Sequence, residues 1–254
     1  MNFSDLKDFL DEKADLYNNI DFIANDPISI PHRFDLKQDV EIAGFLTATI
    51  SWGNRKSIIN DAEKMLEIME NAPYDFIRNV SEKELAFLED KSIHRTFTGE
   101  DFRAFILHLK RIYAEKESLE SHFALKEGEE NFYHALERFR QFFIGENPHR
   151  SRKHVSSTYK NSSAKRLMMF LRWMIRQDSR GVDFGIWTNI DQKYLSVPLD
   201  VHTGNISRKL SIIQRKQNDW KTVEEMDTVL RKWDSKDPAK YDFALFGLGV
   251  SGDF

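Results

Sequence analysis

The chain has 254 residues, no cysteine, and 37 Lys+Arg against 41 Asp+Glu, for a formal net charge of −4. Without a sulfhydryl, disulfides, Cys-built zinc sites, Cys-ligated iron–sulfur clusters, c-type haem attachment and cysteine nucleophiles are all excluded, so any chemistry here uses oxygen or nitrogen. With 11 Gly and 6 Pro the chain is poor in turn residues, which favours long helices.

The opening run MNFSDLKDFLDEKADLYNN is acidic and lacks both a basic start and an apolar stretch, so no signal peptide is expected. No run approaches the roughly 18 apolar residues of a membrane span, and a cytoplasmic location is the expectation. Apolar residues at Phe3, Leu6, Phe9, Leu10, Leu16 and Tyr17 recur at helical spacing, and the same period runs through 40–50 and 58–69. The stretch 25–34 reads as a loop between helices. Further helices are expected over about 98–113, where Thr98 and Asp101 form a capping pair, over about 129–144, and over 162–176. Residues 144–159 read as a polar connection. Another helix is expected from Thr222, with Glu225 completing a capping box, and a last one from Pro238 at a first-turn position. No convincing alternating strand is found, and the fold class is all-α, about ten helices in one unit with two lobes.

Charge is unevenly distributed. Residues 147–177 hold eight Lys/Arg (Arg150, Arg152, Lys153, Lys160, Lys165, Arg166, Arg172, Arg176) and no acid, so the rest of the chain carries −12. Residues 208–221 add five basic residues against Asp219 alone, while 1–30 carries −5. One concentrated basic face on an acidic protein suits a polyanion, because each neutralised phosphate releases condensed counterions. A solvated helix face is the competing reading.

The most informative segment is 197–210, VPLDVHTGNISRKL. Asp200 follows a proline and stands where a helix begins, so it is a natural N-cap. His202 is better suited to helix packing or to a nearby phosphate than to base catalysis. Asn54 and Arg55, at the polar break 51–55, either read a base edge or fix the helix break. No His-x-x-x-His or comparable ligand spacing occurs, and neither a metal nor a cofactor is expected.

The stretch VPLDVHTGNISRKL resembles the catalytic-aspartate segment of the helix-hairpin-helix superfamily of DNA glycosylases. In matching order, 39–66 resembles the first paired helices of that superfamily's helical barrel. SSAKRLMMFLRWM (162–174) resembles the second helix of the hairpin, and DPAKYDFALFGLGV (237–250) the late helix that often precedes a cluster loop. The Lys165 to Asp200 separation of 35 is closest to that in the archaeal 8-oxoguanine glycosylase branch, which lacks an iron–sulfur cluster. Over nearly its whole length the sequence also resembles an uncharacterised bacterial family known only as a domain of unknown function, through IPHRF, SWGNRKSI, PLDVHTGN and YDFALFGLGV.

The glycosylase resemblance implies one two-lobed helical domain over 1–254, with barrel-like helices from about 36 to 160, hairpin and catalytic aspartate from about 161 to 215, and C-terminal helices over 216–254. It implies Lys165 as the nucleophile at C1′ of a flipped nucleotide and Asp200 as the assisting carboxylate. Such an enzyme needs a basic surface for the backbone and an aromatic or apolar lining for the extruded base. Trp52, at the place of an intercalating or gap-filling residue, is the expected DNA contact, and Trp173, Phe184 and Trp187 lie beside the matching segments. Arg150, Arg152, Lys153, Lys160, Ser162, Ser163, Arg166, His202 and Arg208 join Trp52, Asn54 and Arg55 as expected nucleic-acid contacts. The hairpin turn of the superfamily is glycine-rich, whereas the corresponding run 160–164 has no glycine.

The expected function is therefore a DNA glycosylase/AP lyase-like enzyme that excises a damaged base, with double-stranded DNA as partner. A non-catalytic DNA- or RNA-binding protein retaining the fold is the alternative. A helical protein whose basic face meets an acidic protein partner is the third.

Overall fold

The structure, a computed structural model, describes residues 2–145 and 149–251. Among these residues ten α-helices follow in chain order: α1 (Phe3–Tyr17), α2 (Lys37–Thr49), α3 (Arg55–Ile68), α4 (Pro73–Asn79), α5 (Gly99–Glu115), α6 (Tyr133–Ile144), α7 (Lys165–Ile175), α8 (Val201–Lys209), α9 (Trp220–Trp233) and α10 (Tyr241–Ser251). The stretch expected to be a loop, 25–34, is wound into the short 3₁₀ turns Pro27–Ser29 and Pro31–Arg33, each with proline at its first position. An antiparallel hairpin, β1 (Ser92–His94) and β2 (Phe97–Thr98), corrects the expectation of no strand. Strands this short show no readable alternation. Among the described residues no helix is long and apolar enough to cross a membrane.

Helix starts follow local side-chain chemistry. Asn2 and Asp5 close a reciprocal capping box on α1, and Thr98 and Asp101 do the same for α5. At α9 the cap is Asp219, whose carboxylate accepts the Thr222 N–H at 3.0 Å. The expected Thr222/Glu225 box does not form there, because the Glu225 carboxylate instead accepts backbone N–H bonds from Gln214 and Arg215.

The chain divides into two units. The first takes the residues up to Phe22, Leu125–Leu136 and those from Ser157 onward; the second takes Ile23–Ala124 and Glu137–Ser156.

In the second unit α2 is apolar nearly all round and buried from Val40 onward, as a central helix must be. The Phe45 ring lies 5.9 Å from Phe105, 5.6 Å from Phe139 and 5.2 Å from Phe143. The Phe-rich segment after residue 81 therefore supplies core. Glu41, a carboxylate inside this core, is satisfied by Tyr113 Oη at 2.7 Å, Ser118 Oγ at 2.5 Å and the Leu119 N–H at 3.0 Å.

In the first unit α10 packs on both α1 and α8, and its Phe-Gly-Leu-Gly run explains how. A Cβ at Gly247 would stand 2.2 Å from Tyr17 Cδ2 on α1, and one at Gly249 would stand 2.9 Å from His202 Cβ on α8. Gly247→Ala is expected to destabilise the protein by about 1–3 kcal/mol through overpacking. Adding Tyr17→Ala, which removes the obstructing ring, should recover most of the overpacking cost; urea unfolding of the two single variants and the double variant measures this.

Candidate functional site

Asp200 is the N-cap of α8, where its Oδ1 accepts the Thr203 N–H at 2.9 Å. The cap is braced from behind. Asn218 Nδ2 donates to the Asp200 carbonyl at 2.9 Å, and Arg208 donates to Asn218 Oδ1 at 2.6 Å, to the Gln217 carbonyl at 3.1 Å and to the Arg215 carbonyl at 2.7 Å. Arg208 thus ties down the loop after α8, and Asn218 is a positioning residue that no motif flagged. His202 is exposed, with Nδ1 3.1 Å from the Gly249 carbonyl. Val201, between Asp200 and His202, is 65% exposed.

The turn 160–164 has no glycine, yet Asn161 (φ 63°) and Ala164 (φ 50°) take the left-handed conformation that glycine would adopt freely. Such a conformation costs on the order of 1 kcal/mol or more for alanine, so surrounding contacts must impose it. Ser162 Oγ accepts the Ala164 N–H at 3.1 Å, and Ser163 Oγ donates to the Leu199 carbonyl at 3.4 Å. Asn161 Nδ2 donates to Asp219 Oδ2 at 2.9 Å, while the Trp220 N–H donates to the Asn161 carbonyl at 3.2 Å. The turn is stapled to the residues leading into α8 and to the start of α9. The helical element before it in the chain is the 3₁₀ turn Arg150–His154, not an α-helix.

Lys165 opens α7, half-buried, and makes no hydrogen bond or ion pair among the described residues. It shares one stripe of α7 with Arg172 and Arg176, seven and eleven residues on. These two arginines point inward. Arg172 donates to Asp183 at 3.1 Å and to Asp242, and its Cζ lies 4.4 Å from the Phe243 ring centre. Arg176 grips Asp237 with bonds of 2.8–3.1 Å and reaches Asp178 at 2.7 Å and Asp183 at 3.1 Å.

Asp242, at the start of α10, is where this network meets the two expected catalytic residues. Burial pushes its carboxyl up to about 6; Arg172 and Lys165 pull it down, and Asp200 and Asp183 push it up. Lys165 and Asp200 therefore both lie within electrostatic reach of one buried carboxylate in the same unit. Asp242 went unremarked in the sequence because a first-turn acid ahead of an apolar run reads as an ordinary helix-start residue.

Part of the basic block is buried. Arg172 and Arg176 are only 4% and 3% exposed, since acids contributed by residues 178–242 draw them inside. Arg150 is occupied by Thr98 Oγ1 at 2.6 Å and Glu100 at 3.1 Å. Arg152, Lys153 and Lys160 are exposed, and Arg166 is half-buried, with burial pulling its guanidinium down to about 10. Asn147, at the start of the block, lies outside the described residues. Arg150, Arg152 and Lys153 belong to the second unit and Lys160, Lys165 and Arg166 to the first.

In the second unit Trp52 is half-buried, with its ring stacked on His154 at 5.8 Å and edge-on to His94 at 4.9 Å. His94 bridges Asp61 Oδ2 at 2.8 Å and the Trp52 carbonyl at 2.9 Å, and His154 lies 3.2 Å from Asp101 Oδ2. Asn54 caps α3 by accepting the Ser57 N–H at 3.1 Å, and Arg55 follows as its first residue. Of the aromatics beside the site, Trp173 and Trp187 are core and Phe184 is half-buried.

The family model described as "Protein of unknown function (DUF2400)" matches residues 26–251. No curated protein and no solved structure matches the chain.

Proposed function

The chain belongs to the DUF2400 family, and from its own residues we propose that it is a DNA-binding enzyme of the glycosylase/AP lyase kind, with Lys165 as nucleophile and Asp200 as assisting carboxylate. The observation that carries the reading is the common reach of Lys165 and Asp200 to the buried Asp242, together with the Ser163 bond that joins the start of α7 to the segment leading into α8. A lysine without an ion pair among the described residues, within electrostatic reach of the Asp242 carboxylate, supplies the amine a covalent step requires. In that step the Lys165 amine bonds to C1′ as the C1′–N bond to the base breaks and the base leaves with the electron pair. The C1′–O4′ bond then breaks, with O4′ taking up a proton, to give the ring-opened imine, and loss of a C2′ proton from that imine breaks the C3′–O bond by β-elimination. Asp200 offsets positive charge developing on the sugar and accepts the proton lost by the amine.

Borohydride reduces the imine to a stable amine, so trapping on duplexes that carry 8-oxoguanine, uracil or an abasic site tests the reading. A covalent protein–DNA species is expected with the natural protein and none with Lys165→Ala. Absence of a trapped species on every substrate would remove the lyase reading. It would leave a monofunctional glycosylase, with water as nucleophile and Asp200 alone essential, and a non-catalytic nucleic-acid-binding protein, a reading favoured by the engagement of the Asp200 carboxylate as a helix cap.

A further inference from the structure

In the first unit an aromatic cluster stands immediately before the turn 160–164. Tyr159 is 54% exposed and is nevertheless fixed in place. Its hydroxyl lies 2.8 Å from His134 Nδ1, and its ring packs 5.3 Å from Tyr133, which in turn lies 5.3 Å from the buried Trp220. Tyr133 is anchored as well, since its carbonyl accepts the Thr158 hydroxyl at 2.7 Å. An exposed ring held this way has already lost its rotamer freedom, so a partner stacking on it gives up little further entropy. Lys160 and Lys221, the chain neighbours of Tyr159 and Trp220, are both exposed and make no ion pair among the described residues. The nearby acid Glu224 is engaged by Trp220 Nε1 at 3.2 Å.

From the fixed exposed Tyr159 and its flanking cations we infer that this surface binds an unpaired stretch of DNA, stacking a base on Tyr159 while Lys160 and Lys221 meet the flanking phosphates. The inference rests on the DNA-binding part of the reading above and not on its chemistry. A duplex hides its base faces inside the stack, so an exposed ring adds little to duplex binding, whereas an unpaired base offers its face directly. Charge and ring thus select a single-stranded segment, such as the strand beside an extruded or missing base.

Anisotropy titrations of a short fluorescein-labelled single strand and of its duplex against the natural protein, Tyr159→Ala and Tyr159→Phe test this. Tyr159→Ala is expected to weaken single-strand binding by about 5- to 150-fold and to leave binding of the intact duplex unchanged. Tyr159→Phe keeps the ring and loses only the His134 tether, so it should stay within a few-fold of the natural protein. Equal single-strand affinity for Tyr159→Ala and the natural protein would overturn the inference, as would the absence of single-strand binding by the natural protein. Tyr159-dependent single-strand binding without trapping would leave the inference standing and remove the lyase reading.

Discussion

Arg176→Met is expected to destabilise the protein by about 3–5 kcal/mol, the range for a buried ion pair that loses one partner. The methionine fills much of the same volume, so the loss is electrostatic. Asp237 and Asp178 then sit in the first unit without the guanidinium that holds them, and Asp183 keeps only Arg172. The sign of the pH response follows from Asp237. Burial raises its carboxyl and Arg176 opposes that rise, so removing Arg176 lets it rise further above its unfolded value. A carboxyl with a raised folded value binds a proton more readily in the folded state, and stability returns as the pH falls through that value. Urea unfolding at pH 7 and pH 5 should show the deficit of Arg176→Met shrinking at the lower pH, and Asp237→Asn added to it should recover part of the loss at pH 7. Full stability of Arg176→Met at pH 7 would mean that the carboxylates escape to water and that the network is not a structural core.

This network also marks the limit of what the sequence displays. The helical period of α1, α2, α3, α5 and α7 is visible because it depends on residues a turn apart, and the capping of α5 by Thr98 and of α8 by Asp200 is visible because a cap is local. Arg172 and Arg176 read as surface cations, since nothing within a few residues announces acids at 183, 237 and 242 as their partners. The charge count of the 147–177 block does not say which of its cations lie inside; Arg172 and Arg176 do. The turn 160–164 was legible only as lacking glycine; that Asn161 and Ala164 adopt the glycine conformation depends on bonds to residues 199, 219 and 220, far along the chain. Trp52 shows the same limit, because its setting between His94 and His154 is assembled from residues 42 and 102 positions away.

Asp200→Asn should leave stability within a few tenths of a kcal/mol of the natural protein and lower the trapping rate by about 10²- to 10⁴-fold. The two parts have separate causes. Asparagine caps a helix about as well as aspartate, and its side-chain oxygen can still accept the Thr203 N–H that Asp200 accepts at 2.9 Å. What asparagine lacks is the negative charge and the capacity to take a proton, and general acid–base assistance is worth a rate factor of that size. Asp200→Ala removes the cap as well and should cost about 0.5–2 kcal/mol of stability. The pair separates the two roles that one carboxylate can hold. If Asp200 serves chemistry, the two variants trap equally poorly although only the alanine variant is less stable. If Asp200 serves only the start of α8, trapping follows stability and the asparagine variant traps like the natural protein. Trapping time courses set beside urea unfolding of the same preparations distinguish these outcomes, and the second would reduce Asp200 to a helix cap and leave Lys165 without an assisting carboxylate at that position.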